Sequence, residues 1–246
     1  MKPPNILIVM SDHQRADTVL PEHPALTPNV GRLAAEGVTF TNAFCPSPHC
    51  CPSRATFMSG LYPSGHGVWN NVLNAQALSR GLKPGVRLWS EDLAAAGYRM
   101  HYSGKWHVSA EERPADRGWS EHDVSAVESY AHGRGWTHFE GFAGSPAPET
   151  RGEGEILVPG WSPDGRYRLY GTRDSEVRDA GVRDHAVRLI RECAGGDAPW
   201  CIYAGFIGPH DPYFVPGKYL DMYRLEDVPL PANYSDEMAD KPRIYG

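Results

Sequence analysis

The segment NILIVMSD, residues 5–12, is the clearest indication of the fold class. Its apolar run, Ile6 to Met10, is typical of a strand that is covered on both faces, as strands of parallel sheets are. The run ends at Ser11 and Asp12, so a carboxylate directly follows the strand. Ligands of open parallel sheets bind beyond the carboxyl ends of the strands. The segment therefore predicts an α/β fold and a candidate site residue, Asp12.

Helix and strand signals alternate through the rest of the chain. This alternation predicts an α/β domain with a mostly parallel central sheet flanked by helices. Residues 110–173 lack a clear period of apolar residues, so we expect long loops there, with room for a small hairpin. The predicted elements are a helix capped by Thr27, a strand at 38–44, a helix at 52–60, a helix capped by Ser90, a strand at 98–103, a helix at 182–193 and a strand at 200–207.

The composition excludes several classes of function. The 246 residues include 24 basic and 30 acidic residues, a net charge of −6, and contain no run of Lys and Arg. This balance argues against binding to nucleic acid or to an anionic membrane surface. The apolar run near the start is too short to span a bilayer and lacks a signal-peptide cleavage pattern. We therefore expect a cytoplasmic protein with no membrane partner.

The five cysteines are sparse and odd in number, which does not suggest a disulfide scaffold. Cys50 and Cys51 precede the helix predicted at 52–60, where unpaired N–H groups and the helix dipole favour a thiolate. Arg54 follows within one turn and would add a positive charge. The other cysteines are predicted to be small buried apolar residues: Cys45, Cys193 and Cys201.

Reactive side chains also follow two later predicted strands. Lys105 and His107 come after one of them, and His210 comes after the last. Singly, each has an ordinary structural explanation, such as a surface charge or a hydrogen-bonded histidine. With Asp12 and Cys50, they converge on one edge of the sheet. A pocket with excess cations and a candidate nucleophile suits a substrate that carries a compact anion, such as sulfate or phosphate.

Residues 50–54, CCPSR, followed by Ser59 and Gly60, resemble the sulfatase signature Cys-x-Pro-Ser-Arg of the alkaline-phosphatase-like superfamily. Further segments resemble sulfatase landmarks in their usual order, so the resemblance covers nearly the whole chain. It implies an alkaline-phosphatase/sulfatase-like α/β fold. These landmarks are residues 4–7 leading to Asp12, residues 27–29, residues 104–107 and residues 209–210.

The resemblance implies a role for each candidate residue. Cys50 would be converted to 3-oxoalanine (formylglycine) by a formylglycine-generating enzyme, and Arg54 would hold the modified residue. Asp12 and modified Cys50 would bind a divalent metal, usually Ca²⁺, with Mg²⁺ or Mn²⁺ as alternatives. Lys105 and His107 would contact the sulfate. His210 would donate a proton to the leaving alcohol, and Asn70 or Asn71 would line the substrate pocket.

The chemistry explains why such a family needs an aldehyde. Its hydrate offers two hydroxyls on one carbon, so that one attacks sulfur and the other expels sulfate by restoring the aldehyde. Basic side chains and a metal neutralise charge on the transferring group, and a histidine protonates the leaving oxygen. An unmodified thiol could not perform the second step.

Two departures from the family pattern bear on metal binding. His13 follows Asp12 where the family usually has Asp or Gln, and imidazole is a poor ligand for a hard cation, so His13 is expected beside the metal. Sulfatases are about twice this length by resemblance, and their later half supplies a second metal motif and a second lysine. Asp184 and His185 have a suitable composition but lie within a predicted helix, where a solvated face is expected. We therefore expect residues 1–246 to be the N-terminal catalytic α/β domain of a sulfatase, a single truncated domain that binds metal weakly.

The leading hypothesis is a formylglycine-dependent sulfatase that hydrolyses a small-molecule or saccharide sulfate ester, or a sulfamate. A phosphonate monoester or phosphodiester hydrolase would use the same nucleophile in a similar pocket. A third alternative is a catalytically impaired sulfatase fragment that keeps the shape but lacks the second half of the site.

Overall fold

The computed structural model describes residues 3–74, 76–121, 156–159, 166–172, 179–210, 213–231 and 233–236. None of the helices within these residues is both long and apolar enough to cross a bilayer. The strands are β1 (Ile6–Met10), β2 (Arg99–Gly104), β3 (Ser120–Glu121), β4 (Ile156–Pro159), β5 (Arg166–Thr172), β6 (Trp200–Gly205) and β7 (Tyr213–Val215). The α-helices are α1 (Pro28–Glu36), α2 (Cys50–Ser59), α3 (Pro63–His66), α4 (Trp89–Ala95), α5 (Asp179–Ala194) and α6 (Gly217–Leu220).

A parallel sheet with strand order β1-β6-β2-β3 organises the fold. In its register Met10 pairs with Gly205, and Gly205 pairs with Gly104. The carboxyl ends of β1, β6 and β2 therefore lie side by side, and the segments that follow them emerge at the same edge. The predicted α/β class and parallel sheet are confirmed. A second sheet has the order β4-β5-β7, in which β4 and β5 form the small antiparallel hairpin; residues 122–155 lie outside the described part of the chain.

Side chains alternate between the two faces of β6, as the two-residue period of a strand requires. Ile202 and Ala204 pack against an apolar stripe of α5, which confirms the stripe predicted at residues 182–193. Cys201 and Tyr203 face the opposite core, which contains residues of α2 and a set of aromatic rings. Each fully buried large apolar side chain stabilises the fold by about 1.5–3 kcal/mol. The buried aromatic and large aliphatic members of this second core are Met58, Leu88, Met100, Tyr102, Trp106 and Trp119.

The expectation that β1 is covered on both faces is wrong for the described residues. Ile6, Ile8 and Met10 pack against the aromatic core, but Leu7 and Val9 are 46% and 65% exposed. The reason is geometric, because α5 lies over β2 and β6 while β1 stands at the edge of the sheet.

The predicted strand at 38–44 is also wrong. These residues adopt no regular structure and pair with no described strand. Phe44 is 90% exposed, and Val38 and Phe40 are 80% and 81% exposed. Their apolar composition raised strand propensity, but a strand forms only where a neighbouring strand accepts its hydrogen bonds and a core accepts its side chains.

Helix ends differ from the predictions in detail. Thr27 precedes α1, but its side chain makes no capping hydrogen bond. Ser90 lies inside α4 rather than before it, and its hydroxyl donates to the Arg117 carbonyl (2.7 Å). The N–H of Leu88 instead donates to Glu91 Oε2 (2.7 Å). Propensity predicts that a helix begins nearby, whereas the exact first residue depends on such contacts.

Two sequence predictions about buried residues are corrected. His185 lies in α5 as expected, but it is buried, with Nδ1 3.0 Å from Ser103 Oγ, while Asp184 is exposed. The predicted solvated face therefore holds for Asp184 alone. Cys193 and Cys201 are buried as predicted, whereas Cys45 is exposed because it lies in the unpaired segment before α2.

Candidate active site

A cavity of about 290 Å³ opens where the carboxyl ends of β1 and β6 meet the first turn of α2. The candidate residues come from separate parts of the chain, as the sequence predicted. The side chains that line the cavity include those of Asp12, His13, Cys50, Arg54, Asn71 and His210.

Asp12 lies at the centre of the charged part of the site. It is buried, and its Oδ2 is 2.8 Å from Lys105 Nζ and 2.9 Å from Arg54 Nη2. Burial alone would raise the pKa of Asp12, but the charges of Lys105 and Arg54 outweigh it and hold this pKa well below the usual range. The three side chains form a buried cluster of one negative and two positive charges, which leaves a net positive charge for an anionic substrate.

Cys50 is the first residue of α2, two residues before the predicted start. It is half-buried, and its thiol donates a long hydrogen bond to Asp12 Oδ1 (3.5 Å). Burial raises the pKa of Cys50; Lys105 opposes this, and the Asp12 carboxylate adds to it. The expectation of a favoured thiolate is therefore wrong, because desolvation and the adjacent carboxylate outweigh the charges of Lys105 and Arg54. An unmodified Cys50 is a weak nucleophile here.

Arg54 lies one turn after Cys50 and is held by three acceptors. Its Nη1 donates to the Lys105 carbonyl (2.7 Å) and to the Tyr203 hydroxyl (3.2 Å), and its Nη2 donates to Asp12. Burial disfavours the charge, but Tyr203, Tyr102 and Asp12 raise the pKa of Arg54 above its usual value. The guanidinium is therefore a fixed cation.

Tyr203 is a site residue that the sequence analysis missed. Its ring stacks on that of Tyr102, with centroids 4.6 Å apart, and its hydroxyl meets Arg54 below the cavity. It lies in the middle of an apolar strand, where an aromatic residue is the usual core choice. No local signal marks its second role, since the contact with Arg54 depends on tertiary packing.

Two glycines allow Lys105 to enter the site. Gly104 has φ of +100°, which favours glycine, and an added Cβ would lie 2.1 Å from the Gly205 carbonyl oxygen. Close contact of β2 with β6 at this point lets the Lys105 N–H donate to the same oxygen (2.9 Å). The Lys105 side chain is thereby directed under the cavity, where it is fully buried.

His107 and Asn71 meet beside the cavity. His107 has a left-handed backbone (φ 55°), and its Nε2 lies 3.2 Å from Asn71 Oδ1. Burial, then the charges of Lys105 and Arg54, hold the pKa of His107 well below its usual value, so the ring is neutral.

The structure places Asn71 rather than Asn70 at the cavity. The Asn70 amide is used within its own loop, where it donates to the Gln76 carbonyl (2.9 Å) and accepts from the Leu78 N–H (3.0 Å).

His210 completes the cavity from the segment after β6. It follows a cis Gly208–Pro209 bond, is half-buried, and its ring centroid lies 5.4 Å from that of His13. Ligand atoms of Asp12, Cys50 and His210 all lie within 4.8 Å of one another. Within the described residues this is the group in which three metal-ligating side chains converge.

This donor set does not fit a calcium ion by itself. Calcium takes about six to eight oxygen ligands, several of them anionic, whereas the group offers one carboxylate, one thiol and one imidazole. Asp12 Oδ2 is moreover already occupied by Lys105 and Arg54. An oxygen at position 50 in place of sulfur would add one hard donor, which still leaves the described residues short of a calcium site.

The chain is similar in sequence to known proteins. A family model described as Sulfatase matches residues 4–241. An uncharacterized sulfatase, YidJ of Escherichia coli, is 28% identical over 98% of this chain and 46% of its own length. A choline-sulfatase of Rhizobium meliloti is 30% identical over 89% of this chain and 41% of its own length. The chain thus spans about half the length of these relatives.

A solved structure has the same fold. The phosphonate monoester hydrolase of Agrobacterium radiobacter superimposes with a TM-score of 0.60 at 26% identity, over 93% of this chain and 45% of that protein.

Proposed function

The chain belongs to the sulfatase family, and on that basis we propose that it hydrolyses sulfate esters or sulfamates with a formylglycine formed from Cys50. One observation carries the proposal: Cys50 faces the cavity at the first turn of α2, within reach of a buried cluster that contains two fixed cations. A thiol with a raised pKa is poorly suited to attack in this place. A hydrated aldehyde supplies a hydroxyl nucleophile and a second hydroxyl that later expels sulfate.

The charges of the cluster support transfer of a sulfuryl group. In the first step an oxygen on residue 50 bonds to sulfur, and the bond from sulfur to the alcohol oxygen breaks. Lys105 and Arg54 stabilise the negative charge that develops around sulfur, since they are preorganised and shielded from water. Asp12 keeps both cations in position beside the nucleophile, with its Oδ1 3.5 Å from Cys50 Sγ. The nearby cations favour ionisation of the attacking hydroxyl, and its proton passes to solvent.

His210 protonates the departing alcohol. Its ring is half-buried at the cavity wall, near Cys50 and Asp12. Histidine can donate a proton near neutral pH. In the second step the remaining hydroxyl gives its proton to His210, the bond between carbon and the sulfate oxygen breaks as the aldehyde forms again, and water restores the hydrate. The net reaction consumes one water and yields the alcohol, sulfate and a proton.

Asn71 and His107 orient the sulfate oxygens in this proposal. The two side chains contact each other, and the neutral His107 adds hydrogen-bonding capacity without more charge. A divalent metal would assist by neutralising charge, as the family implies. Because the described donors do not complete such a site, no step here depends on it.

We propose a small-molecule or saccharide sulfate ester as the substrate and a formylglycine-generating enzyme as the partner that modifies Cys50. The sulfatase signature CCPSR, at residues 50–54 at the start of α2, supports the second proposal.

The proposal is tested by measuring turnover of an aryl sulfate and of a monosaccharide sulfate. Protein produced with the modifying enzyme is compared with protein produced without it. Turnover should require the modifying enzyme and should be lost in C50A. C45A is the matched control, because Cys45 is an exposed cysteine whose thiol donates to the Ser47 carbonyl (2.8 Å) and does not line the cavity. Equal turnover by C50A, or none by protein in which position 50 is fully converted, would contradict the proposal.

A phosphonate monoester or phosphodiester hydrolase is the second candidate. The similarity to the Agrobacterium radiobacter phosphonate monoester hydrolase favours it, and the cationic cluster suits either anion. Paired kcat/KM values for aryl sulfate and aryl phosphonate esters separate the two. If kcat/KM is higher for the aryl phosphonate, the substrate class is a phosphonate ester rather than a sulfate ester.

A further inference from the structure

Asp179, the first residue of α5, holds the loop that follows β6. Its Oδ1 accepts the N–H of Ile207 (2.9 Å), and its Oδ2 accepts the N–H of Gly208 (2.8 Å). One carboxylate thus binds two consecutive backbone donors, and hydrogen bonds to a charged acceptor are stronger than those between neutral groups. Asp179 does not line the cavity and takes no part in the proposed reaction.

The loop held by Asp179 is connected to both sides of the proposed site. The Gly208 carbonyl accepts the N–H of Asp12 (3.2 Å), and the N–H of Phe206 donates to the Met10 carbonyl (2.8 Å). The N–H of His210 donates back to the Ile207 carbonyl (3.0 Å), which folds the loop into a turn. The backbones of Asp12 and His210 are therefore held through the segment that Asp179 binds, and the His210 backbone sets where its ring can lie.

The contact between Asp179 and Gly208 requires a residue without a side chain. A Cβ on Gly208 would lie 2.5 Å from Asp179 Oδ2, shorter than non-bonded atoms tolerate. Asp179 and Gly208 therefore fit as a pair.

We propose that Asp179 is a positioning residue, which holds the 206–210 loop so that His210 and Asp12 meet across the nucleophile. The proposal rests on the proposed function for its catalytic meaning, but its geometric content is independent of the reaction. Asp179 contacts neither substrate nor reacting atoms and acts only through the loop.

D179N is the direct test. An Asn side chain keeps one acceptor oxygen, but its NH₂ group then faces a backbone N–H, so one of the two hydrogen bonds is lost. D184N is the matched control, because Asp184 is exposed on the same helix and is removed from the loop. NMR spectra of labelled protein should show altered signals for the His210 ring and the Asp12 amide in D179N, and faster hydrogen exchange at Gly208. The D184N spectra should match the wild type at these positions.

With converted Cys50, kcat for an aryl sulfate should fall about 10- to 100-fold in D179N, with KM changed little, because a small misplacement of a proton donor affects the chemical step. G208A tests the same contact with the carboxylate retained and should reproduce the His210 shift and the loss of kcat. Both variants are used, so that a folding failure of either leaves a test in place.

Unchanged His210 signals in D179N or G208A, or signals that change equally in D184N, would overturn the proposal. If the wild type hydrolyses no sulfate ester, the proposed function fails, while the NMR comparison still decides whether Asp179 positions His210.

Discussion

Lys105 Nζ lies 2.8 Å from Asp12 Oδ2, and both side chains are buried. Lys105 follows β2 and Asp12 follows β1, and the intervening β6 brings the two strands into register. An ion pair taken out of water is costly unless its partners compensate each other. This pair, with Arg54, therefore links the stability of the fold to the charge of the proposed site.

Loss of Lys105 should destabilise the protein strongly. In K105M the Asp12 carboxylate loses one of its two cations, and breaking a buried pair costs about 3–5 kcal/mol of unfolding free energy. R87M is the matched control, because Arg87 pairs with Asp92 on the surface (2.6 Å), where such pairs contribute about 0–1 kcal/mol. Urea denaturation measures both; equal losses would show that the Lys105–Asp12 pair is not buried as described.

His107 should make stability depend on pH. Burial and the nearby cations lower its pKa in the folded state, so the unfolded chain takes up a proton first as pH falls below about 6.5. The stabilisation is therefore present above that pH and declines below it. Urea unfolding between pH 5 and pH 8 should show a shallower decline for H107Q than for the wild type. H23Q, outside the cavity, should keep the wild-type slope, and an identical slope in H107Q would contradict the buried neutral ring.

Gly104 should tolerate no side chain. G104A places a methyl group 2.1 Å from the Gly205 carbonyl oxygen at a positive φ, which separates β2 from β6 and displaces Lys105. G97A is the matched control, since Gly97 has φ of +87° but open space around an added Cβ. G97A should lower the free energy of unfolding by only about 1–2 kcal/mol, the cost of a left-handed backbone for a residue with a side chain. G104A should lower it by more. Equal losses by thermal denaturation would refute the close approach.

Calcium should bind weakly to this chain. The donors that converge offer one carboxylate, which Lys105 and Arg54 already neutralise, and sites with few anionic oxygens have Kd values of about 1 mM or weaker. Isothermal titration with Ca²⁺ should therefore show no saturation at micromolar concentrations. Tight stoichiometric binding would mean that donors outside the described residues complete a site.

Much of the site could be predicted because its residues have fixed positions relative to strong local signals. Asp12, Lys105 and His210 each follow a strand with a clear apolar pattern, and parallel register then brings them together. Arg54 follows Cys50 by one helical turn. The order of elements was therefore sufficient to place these residues at one edge of the sheet.

Other parts depend on contacts that no local pattern encodes. Asn70 and Asn71 are adjacent and chemically identical, and only the loop fold separates the one used within the loop from the one at the cavity. Tyr203 and Asp179 act through partners about 150 and 28 residues away in sequence, respectively. The raised pKa of Cys50 likewise results from burial beside Asp12.

The chemical state of residue 50 decides whether an aldehyde is the nucleophile. Peptide mass spectrometry of preparations made with graded amounts of the modifying enzyme gives the fraction of Cys50 converted to the aldehyde, and the same preparations are assayed for sulfate ester turnover. Turnover should rise in proportion to that fraction and should extrapolate to zero for protein in which residue 50 is an intact thiol. Full turnover by protein whose residue 50 is entirely unmodified cysteine would contradict it.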